Sequence, residues 1–217
     1  MLARRRALAA FATAAAFAVG LAIGLIAPST PAPRRTAAVG PTRTVNGVPV
    51  GYARNAAGAV RAAAEYVRAT GNPAWFNAQR RRAGLAEMAT AAEAGRLDSA
   101  YRRQLQAQGT TSLGLALAAG ERVVNVNVPL GYALGAYTRV QARVSVWLLN
   151  LAGSGFSKPE EHYQTLVMTL RWLRGDWRLD ATSGRPGPIP RGAGVYNTAK
   201  SFMAAMEPIR WFDVPAP

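Results

Sequence analysis

Apolar positions along the chain fall into three regimes. The first is an unbroken run: Ala7 to Ala27 carries no charge and only Thr13 as a polar side chain, directly after Arg4, Arg5 and Arg6. The second is helical. In "NAAGAVRAAAEYVRAT", residues 55 to 70, Ala56, Val60, Ala63, Ala64 and Val67 recur on one face, with Arg61, Glu65 and Arg68 elsewhere and Gly71 following. That spacing predicts an amphipathic helix ended by the glycine. Pro73 suits the first turn of a second helix through Trp75, Phe76, Leu85 and Met88. Ala91 to Gln106 predicts a further helical stretch with Leu97, Tyr101 and Leu105 in register.

The third regime starts after Gly120, where the period drops from about 3.6 to 2. "RVVNVNV" (122 to 128) alternates Val124, Val126 and Val128 with Asn125 and Asn127. "VQARVSVWL" (140 to 148) sets Val140, Ala142, Val144, Val146 and Leu148 on one face, with Gln141, Arg143, Ser145 and Trp147 on the other. "TLVMTLRWL" follows at 165 to 173. Helices and then antiparallel strands predict an α+β domain with its helices packed on one face of the sheet.

"LRWLRGDWRLD" (170 to 180) crowds tryptophans and charges into one stretch. Read as a Gly-X pair, Gly175-Asp176 predicts a two-residue type II′ hairpin turn. That turn sets Leu170 opposite Ala181, Trp172 opposite Leu179 and Arg174 opposite Trp177, with Arg171 facing Asp180 on the other side. A cross-strand pair of opposite charge contributes only about 0.2 to 1 kcal/mol, but each residue has a partner without any ligand.

At about 1.5 Å per residue, the run from Ala7 makes roughly 31 Å of helix, enough to cross a bilayer's hydrocarbon core. Three arginines ahead of it keep the N-terminus cytoplasmic and place the remainder outside. The competing reading is a cleaved secretory signal. Its usual core is shorter, about 7 to 15 residues, and Pro28, Pro31 and Pro33 crowd the small-x-small sites beyond. Both readings export the domain. Gly20 and Gly24 form a small-xxx-small pair through which two copies of a membrane helix could approach, giving a homo-oligomer. Pro28 to Pro49 has no periodic apolar pattern and reads as an extended, solvated linker.

The chain thus divides into a cytoplasmic stub and transmembrane helix (1–27), a Pro-rich linker (28–48), an extracytoplasmic α+β domain (49–190) and a tail with a short helix (191–217). In the tail, Ala199, Phe202, Met203 and Met206 make an apolar helical face before Pro208, with Trp211 beyond. It either folds back onto the domain or docks on another subunit.

Charge changes the picture of partners. With 26 cationic against 11 acidic residues the formal net charge is +15, which draws the chain to the lipid bilayer, anionic polymers or acidic proteins. Only Lys158 and Lys200 are lysines; the arginine excess matches the codon bias of a GC-rich bacterium. The absence of cysteine excludes disulfides, thiolate catalysis and cysteine-ligated zinc. Lone His162, in "PEEHYQ", excludes a histidine-rich metal site and reads as a solvated strand end. Asp98, beside Tyr101 and Arg102, reads as a surface ion pair, Asp176 as turn chemistry and Asp180 as the partner of Arg171. No carboxylate pair is left for acid and base work, so no catalytic, cofactor or metal residue is assigned. Arg80, Arg81 and Arg82, with Arg102 and Arg103, read as a solvated face rather than a nucleic-acid site.

Four segments then carry a resemblance: "GAVRAAAEYVRA", "VPLGYALGAYT" (128 to 138), "RVQARVSVWLLNLAG" and "LRWLRGDWRLDATSGRPGPIP". Together, over about residues 45 to 190, they resemble the extracytoplasmic domains of small actinobacterial single-pass membrane proteins carried beside conjugation and secretion gene clusters. The fold of those domains is similar to nuclear transport factor 2, a cone of helices closed by a strongly curved antiparallel sheet. The resemblance implies a non-enzymatic assembly role like that of the bitopic factors of type IV secretion, whose partners are other membrane components of the transfer apparatus. It brings no catalytic motif. The alternatives are an exported ligand-binding cone using its apolar cavity, and an isomerase- or dehydratase-like enzyme of the same fold.

Overall fold

Helices precede strands in the computed structural model, which describes residues 39–107, 109, 112–154, 160–190 and 204–212. The apolar run with Gly20 and Gly24, and Phe202 and Met203 of the tail, lie outside the described residues. Among the described residues no helix is long and apolar enough to cross a membrane. The chain divides into Met1–Thr36 and Ala37–Pro217, and only the second unit is described below.

Strands β1 (Arg43–Val45) and β2 (Val48–Val50) form a small hairpin. Helix α1 (Ala56–Thr70), a 3-10 turn (Pro73–Phe76), α2 (Ala78–Met88), α3 (Ala91–Ala107) and α4 (Ser112–Ala118) come next. The main sheet follows: β3 (Val123–Tyr137), β4 (Gln141–Ser154), β5 (Glu160–Leu173), β6 (Asp176–Pro186) and β7 (Arg210–Trp211). Its five strands are antiparallel, in the order β6-β5-β4-β3-β7.

The residues read as the end of the linker are structured. Asn46 and Gly47 both take positive φ, the requirement of a type I′ turn, and so close a hairpin that the prolines around it obscure. Val48 and Val50 are fully buried against the core. The predicted second helix is also divided. Asn72 caps the 3-10 turn by accepting from Ala74 N, and Asn77 caps α2 by accepting from Arg80 N, so two capping asparagines break one periodic run into two pieces. Helix α1 starts where Asn55 accepts from Gly58 N and stops at Gly71. A side chain at Gly71 would collide with the backbone of Asn127, so the glycine is what lets β3 pass the helix end.

Alanines on the buried face of α1 let it lie close to the sheet, over Val144, Val146 and Leu148 of β4, Met168 and Leu170 of β5, and Trp177 and Leu179 of β6. Each such aliphatic side chain contributes about 1.5–3 kcal/mol on burial. The turn between β5 and β6 differs from the Gly175-Asp176 reading. Arg174 and Gly175 both take positive φ, which makes a type I′ turn one residue earlier. Trp172 then pairs with Trp177, Leu170 with Leu179 and Arg171 with Arg178, and a bulge at Asp180 sets Thr169, not Leu170, opposite Ala181. Next to the turn the slip of two keeps Leu170, Trp172, Trp177 and Leu179 on one face, while the bulge moves Ala181 to the other. Arg171 still bonds Asp180, at 2.6 Å.

Strand β3 reverses the usual sense of alternation. Asn127 donates to Val67 O at the end of α1, so the asparagines face the helices, while Val124, Val126 and Val128 are 44%, 42% and 37% exposed on the opposite face. The tail returns to this sheet: β7 pairs with Gly131 and Tyr132, Met206 is buried, and Phe212 packs on Tyr132 at 4.9 Å between ring centroids.

Candidate functional site

Between the helices and the inner face of the sheet lies a cavity of about 680 Å³. Its buried floor is apolar: Leu85 and Met88 of α2, Met168 of β5 and Leu179 of β6. Trp75, Phe76 and Tyr101 supply aromatic walls. The inner face turns polar at one level across three strands. On β4, Val144, Val146 and Leu148 give way to Asn150; on β5, Met168 and Leu166 give way to Gln164 and His162; on β3 the change brings in Asn127 and Asn125. Register aligns these positions, Asn150 standing opposite Asn127 on one side and His162 on the other.

The resulting belt is built from amides. Asn150 Nδ2 donates to Asn127 Oδ1 at 2.8 Å and to Asn125 Oδ1 at 3.1 Å, while Asn127 Nδ2 donates onward to Val67 O and Thr70 Oγ1, both at 3.2 Å. Gln164 is half-buried in the lining and its amide has no hydrogen-bond partner among the described residues. Thr182 also lines the cavity, and its Oγ1 is the buried side-chain oxygen without a partner among the described residues.

One wall contains a buried ion pair that corrects two expectations. Arg81, taken with its neighbours for part of a solvated face, is 1% exposed. Its guanidinium meets Asp98 at 2.8 Å, donates to Trp75 O at 3.0 Å and lies 5.0 Å from the Tyr101 ring centre. Asp98 is accordingly buried rather than on the surface, and takes further cations from Arg82 at 3.1 Å and Arg102 at 3.6 Å. Burial alone raises the Asp98 carboxyl, but the hydrogen bonds and charges of Arg81 and Arg82 outweigh it and hold the group below its ordinary value. Burial pushes the Tyr101 hydroxyl up, with Arg81 opposing.

Asp176 also departs from its reading as turn chemistry. It opens β6, is buried, and accepts backbone N–H bonds from Gly51 (2.6 Å), Tyr52 (3.1 Å) and Trp177 (2.9 Å). The carboxylate thereby fastens β2 to the β5–β6 hairpin. Beside it, Tyr66 donates to Trp177 O at 2.6 Å, and burial raises both the Tyr66 and the Tyr52 hydroxyls well above the usual range. His162 sits exposed at the cavity rim, 3.2 Å from the exposed Glu160. Among the described residues no group of three or more His, Asp or Glu gathers as metal ligands would.

The tail residues are separated by the structure. Met206 is buried, whereas Trp211 is 63% exposed on the edge strand, its ring 5.4 Å from that of Trp147. Residues 7–202 match the family model described as Domain of unknown function (DUF8175). The chain belongs to that family. The DUF8175 match takes in the apolar run, the linker and the folded unit as far as residue 202, short of Met206 and β7. No curated protein and no solved structure matches the chain.

Sequence reasoning reached a cavity only through the resemblance, as an apolar one, and missed its polar lining. Its polar belt comes from Asn125, Asn127, Asn150 and Gln164, which are far apart in the chain and individually read as ordinary polar positions of alternating strands. Two asparagines at alternate positions between valines were the available signal, because an amide pair is a poor choice for a plain solvated face beside exposed valines.

Proposed function

We propose that this DUF8175 protein is a single-pass membrane protein whose extracytoplasmic domain is a nuclear transport factor 2-like cone with a curved sheet. It acts without catalysis, through protein contacts, as an assembly component of a conjugation or type IV secretion-like apparatus. The observation that carries this reading is the valine stripe. Val124, Val126 and Val128 stand exposed on the face away from the helices, where a solvated strand would carry polar residues. Leu149 and Leu151 of β4 pair with Val128 and Val126, so the stripe widens into a patch. A basic chain of net charge +15 fits a partner with apolar surface ringed by carboxylates. The carboxylates Asp98, Asp176, Glu65 and Glu93 are committed to cations or backbone, which supports the non-catalytic side of the proposal.

A photo-crosslinking amino acid placed at Val126 in living cells tests it. The expected result is a discrete high-mass adduct with another membrane protein, absent when the same group is placed at Ser183 on β6. Equal labelling at both positions, or none at Val126, sinks the reading. A reporter fused to the C-terminus should be active only outside the cytosol.

A second reading, an exported ligand-binding domain, is favoured by the cavity. It accommodates both the 680 Å³ of space and the uncommitted Gln164 amide, because ligand pockets combine apolar walls with a few convergent polar groups.

A further inference from the structure

We infer that the cavity takes an uncharged, chiefly apolar molecule that carries a hydroxyl or carbonyl oxygen, of which a long-chain alcohol is the simplest member; this deepens the ligand-binding reading and rests on it.

Three features of the lining select that class. Size comes first: about 680 Å³ lies within the roughly 300–1,000 Å³ of small-molecule pockets, and the floor of Leu85, Met88, Met168 and Leu179 offers only hydrocarbon and thioether. Charge comes second. Among the described residues Arg81 is the one cation buried in the lining, and Asp98 already meets it at 2.8 Å. A carboxylate ligand therefore finds no free counter-ion inside among the described residues. An ammonium finds none either, since Glu160 is exposed at the rim beside His162. An ion entering the floor would lose its hydration without replacement.

Hydrogen bonding comes third. Gln164 stands in register with Leu148, at the level where the inner face changes from apolar to polar, and presents an uncommitted amide there. Thr182, also in the lining, holds a buried hydroxyl with no partner among the described residues. Native proteins leave few such groups unsatisfied. A ligand oxygen held at this level, with its apolar body on the floor, satisfies an amide that both donates and accepts. A purely hydrocarbon ligand does not.

The test uses residues 37–217, the unit that contains every residue of the core. The neutral fluorophore N-phenyl-1-naphthylamine is titrated in, then displaced with decan-1-ol, decanoate or decylammonium. Saturable fluorescence is expected, and decan-1-ol should displace it at a concentration at least about tenfold below either charged congener. Leu166→Trp, which fills the cavity from its partly buried wall, should abolish the signal. Gln164→Leu should keep the fluorophore but weaken decan-1-ol about five- to tenfold, the worth of one hydrogen bond. Circular dichroism identifies a filled variant that has failed to fold; Gln164→Leu then decides by itself. Binding of the fluorophore with no preference for the alcohol, or an unchanged alcohol affinity in Gln164→Leu, overturns the ligand class and leaves the ligand-binding reading standing. No saturable fluorescence in the folded wild-type unit overturns both.

Discussion

The inner face of one sheet has two halves that behave as different materials. Toward the β5–β6 turn it carries Ala142, Val144, Leu170 and Trp177, sealed beneath α1 and the β1–β2 hairpin. Toward the far ends of the same strands it carries Asn127, Asn150, Gln164 and His162, which line open space. Backbone, pairing and alternation continue unbroken from one half to the other; only the side chains change. In the closed half Asp176 is committed to three backbone N–H groups and Tyr66 to Trp177 O. In the open half some amide capacity is spare. Stability and the proposed binding therefore fall on different lengths of the same strands, and substitutions in the two halves should have different consequences.

The sharpest test is Asp176→Ala. It leaves the N–H groups of Gly51, Tyr52 and Trp177 without their acceptor in a buried place. A loss of about 3–5 kcal/mol is expected in urea-induced unfolding, since bonds to a charged acceptor are worth roughly 1.5–3 kcal/mol each and stranded buried groups cost more. A loss under about 1 kcal/mol would break the contrast, because the closed half would then not depend on its polar commitments.

Asp98→Asn probes the wall shared by core and cavity. It deprives buried Arg81 of its charge partner and should cost about 2–4 kcal/mol near neutral pH. The sign with pH follows from the lowered carboxyl. A group whose folded value lies below its unfolded value contributes stability that is fully present above the unfolded value, about 3.9 for aspartate. That contribution is lost as pH falls through the lower, folded value. The difference between wild type and Asp98→Asn should thus be constant above about pH 5 and shrink below about pH 4. A difference that grows on acidification contradicts the assignment.

Much of the closed half was legible from periodicity alone. The α1 pattern and the β4 face of Ala142, Val144, Val146 and Leu148 fall where the spacing puts them, because both are long, regular and half-buried; Val140, expected on the same face, stands exposed ahead of the strand. The open half was not legible, and the reason is physical. Alternation tells which residues share a face but not which face meets the helices, so β3 with its valines outward reads the same as β3 with its valines inward. Arg80, Arg81 and Arg82 are equivalent in sequence; only the placement of α3 against α2 decides that Arg81 meets Asp98 inside. Turn position is similarly underdetermined, since "RGD" admits two adjacent two-residue turns. A charged Arg174 at positive φ is an uncommon residue to place there, and pairing of Trp172 with Trp177, rings 5.3 Å apart at 75°, compensates by about 0.5–1.5 kcal/mol.

Asn127→Ala should have a smaller effect than either acidic substitution. The amide spans the boundary, bonding Val67 O and Thr70 Oγ1 of α1 on one side and accepting from Asn150 on the other. Thr70 Oγ1 also donates to Val67 O, so the helix end keeps one partner when the asparagine is removed. About 1 kcal/mol of stability should be lost, with melting temperature lowered by a few degrees.

The smallest effect on stability, and the one most specific to the open half, belongs to Asn150→Leu. Leucine keeps the branched skeleton of asparagine, with two methyl groups in place of the amide oxygen and nitrogen, and at this position it extends the Leu148 face by one further step into the open cavity, which has room for the extra bulk. Asn125 and Asn127 lose the donor they share, but their oxygens face open space where water replaces it. Stability in urea should change by less than about 1 kcal/mol in either direction. Binding should not be so indifferent. With the belt broken on its central strand, the cavity becomes more apolar, so N-phenyl-1-naphthylamine should bind at least as tightly as to wild type while decan-1-ol loses part of its advantage over purely hydrocarbon competitors. A substitution that leaves the fold untouched yet alters which molecule the cavity prefers separates the two halves directly. Equal losses of stability and selectivity from Asn150→Leu would instead make the belt part of the core, and the division of the sheet would then be one of composition only.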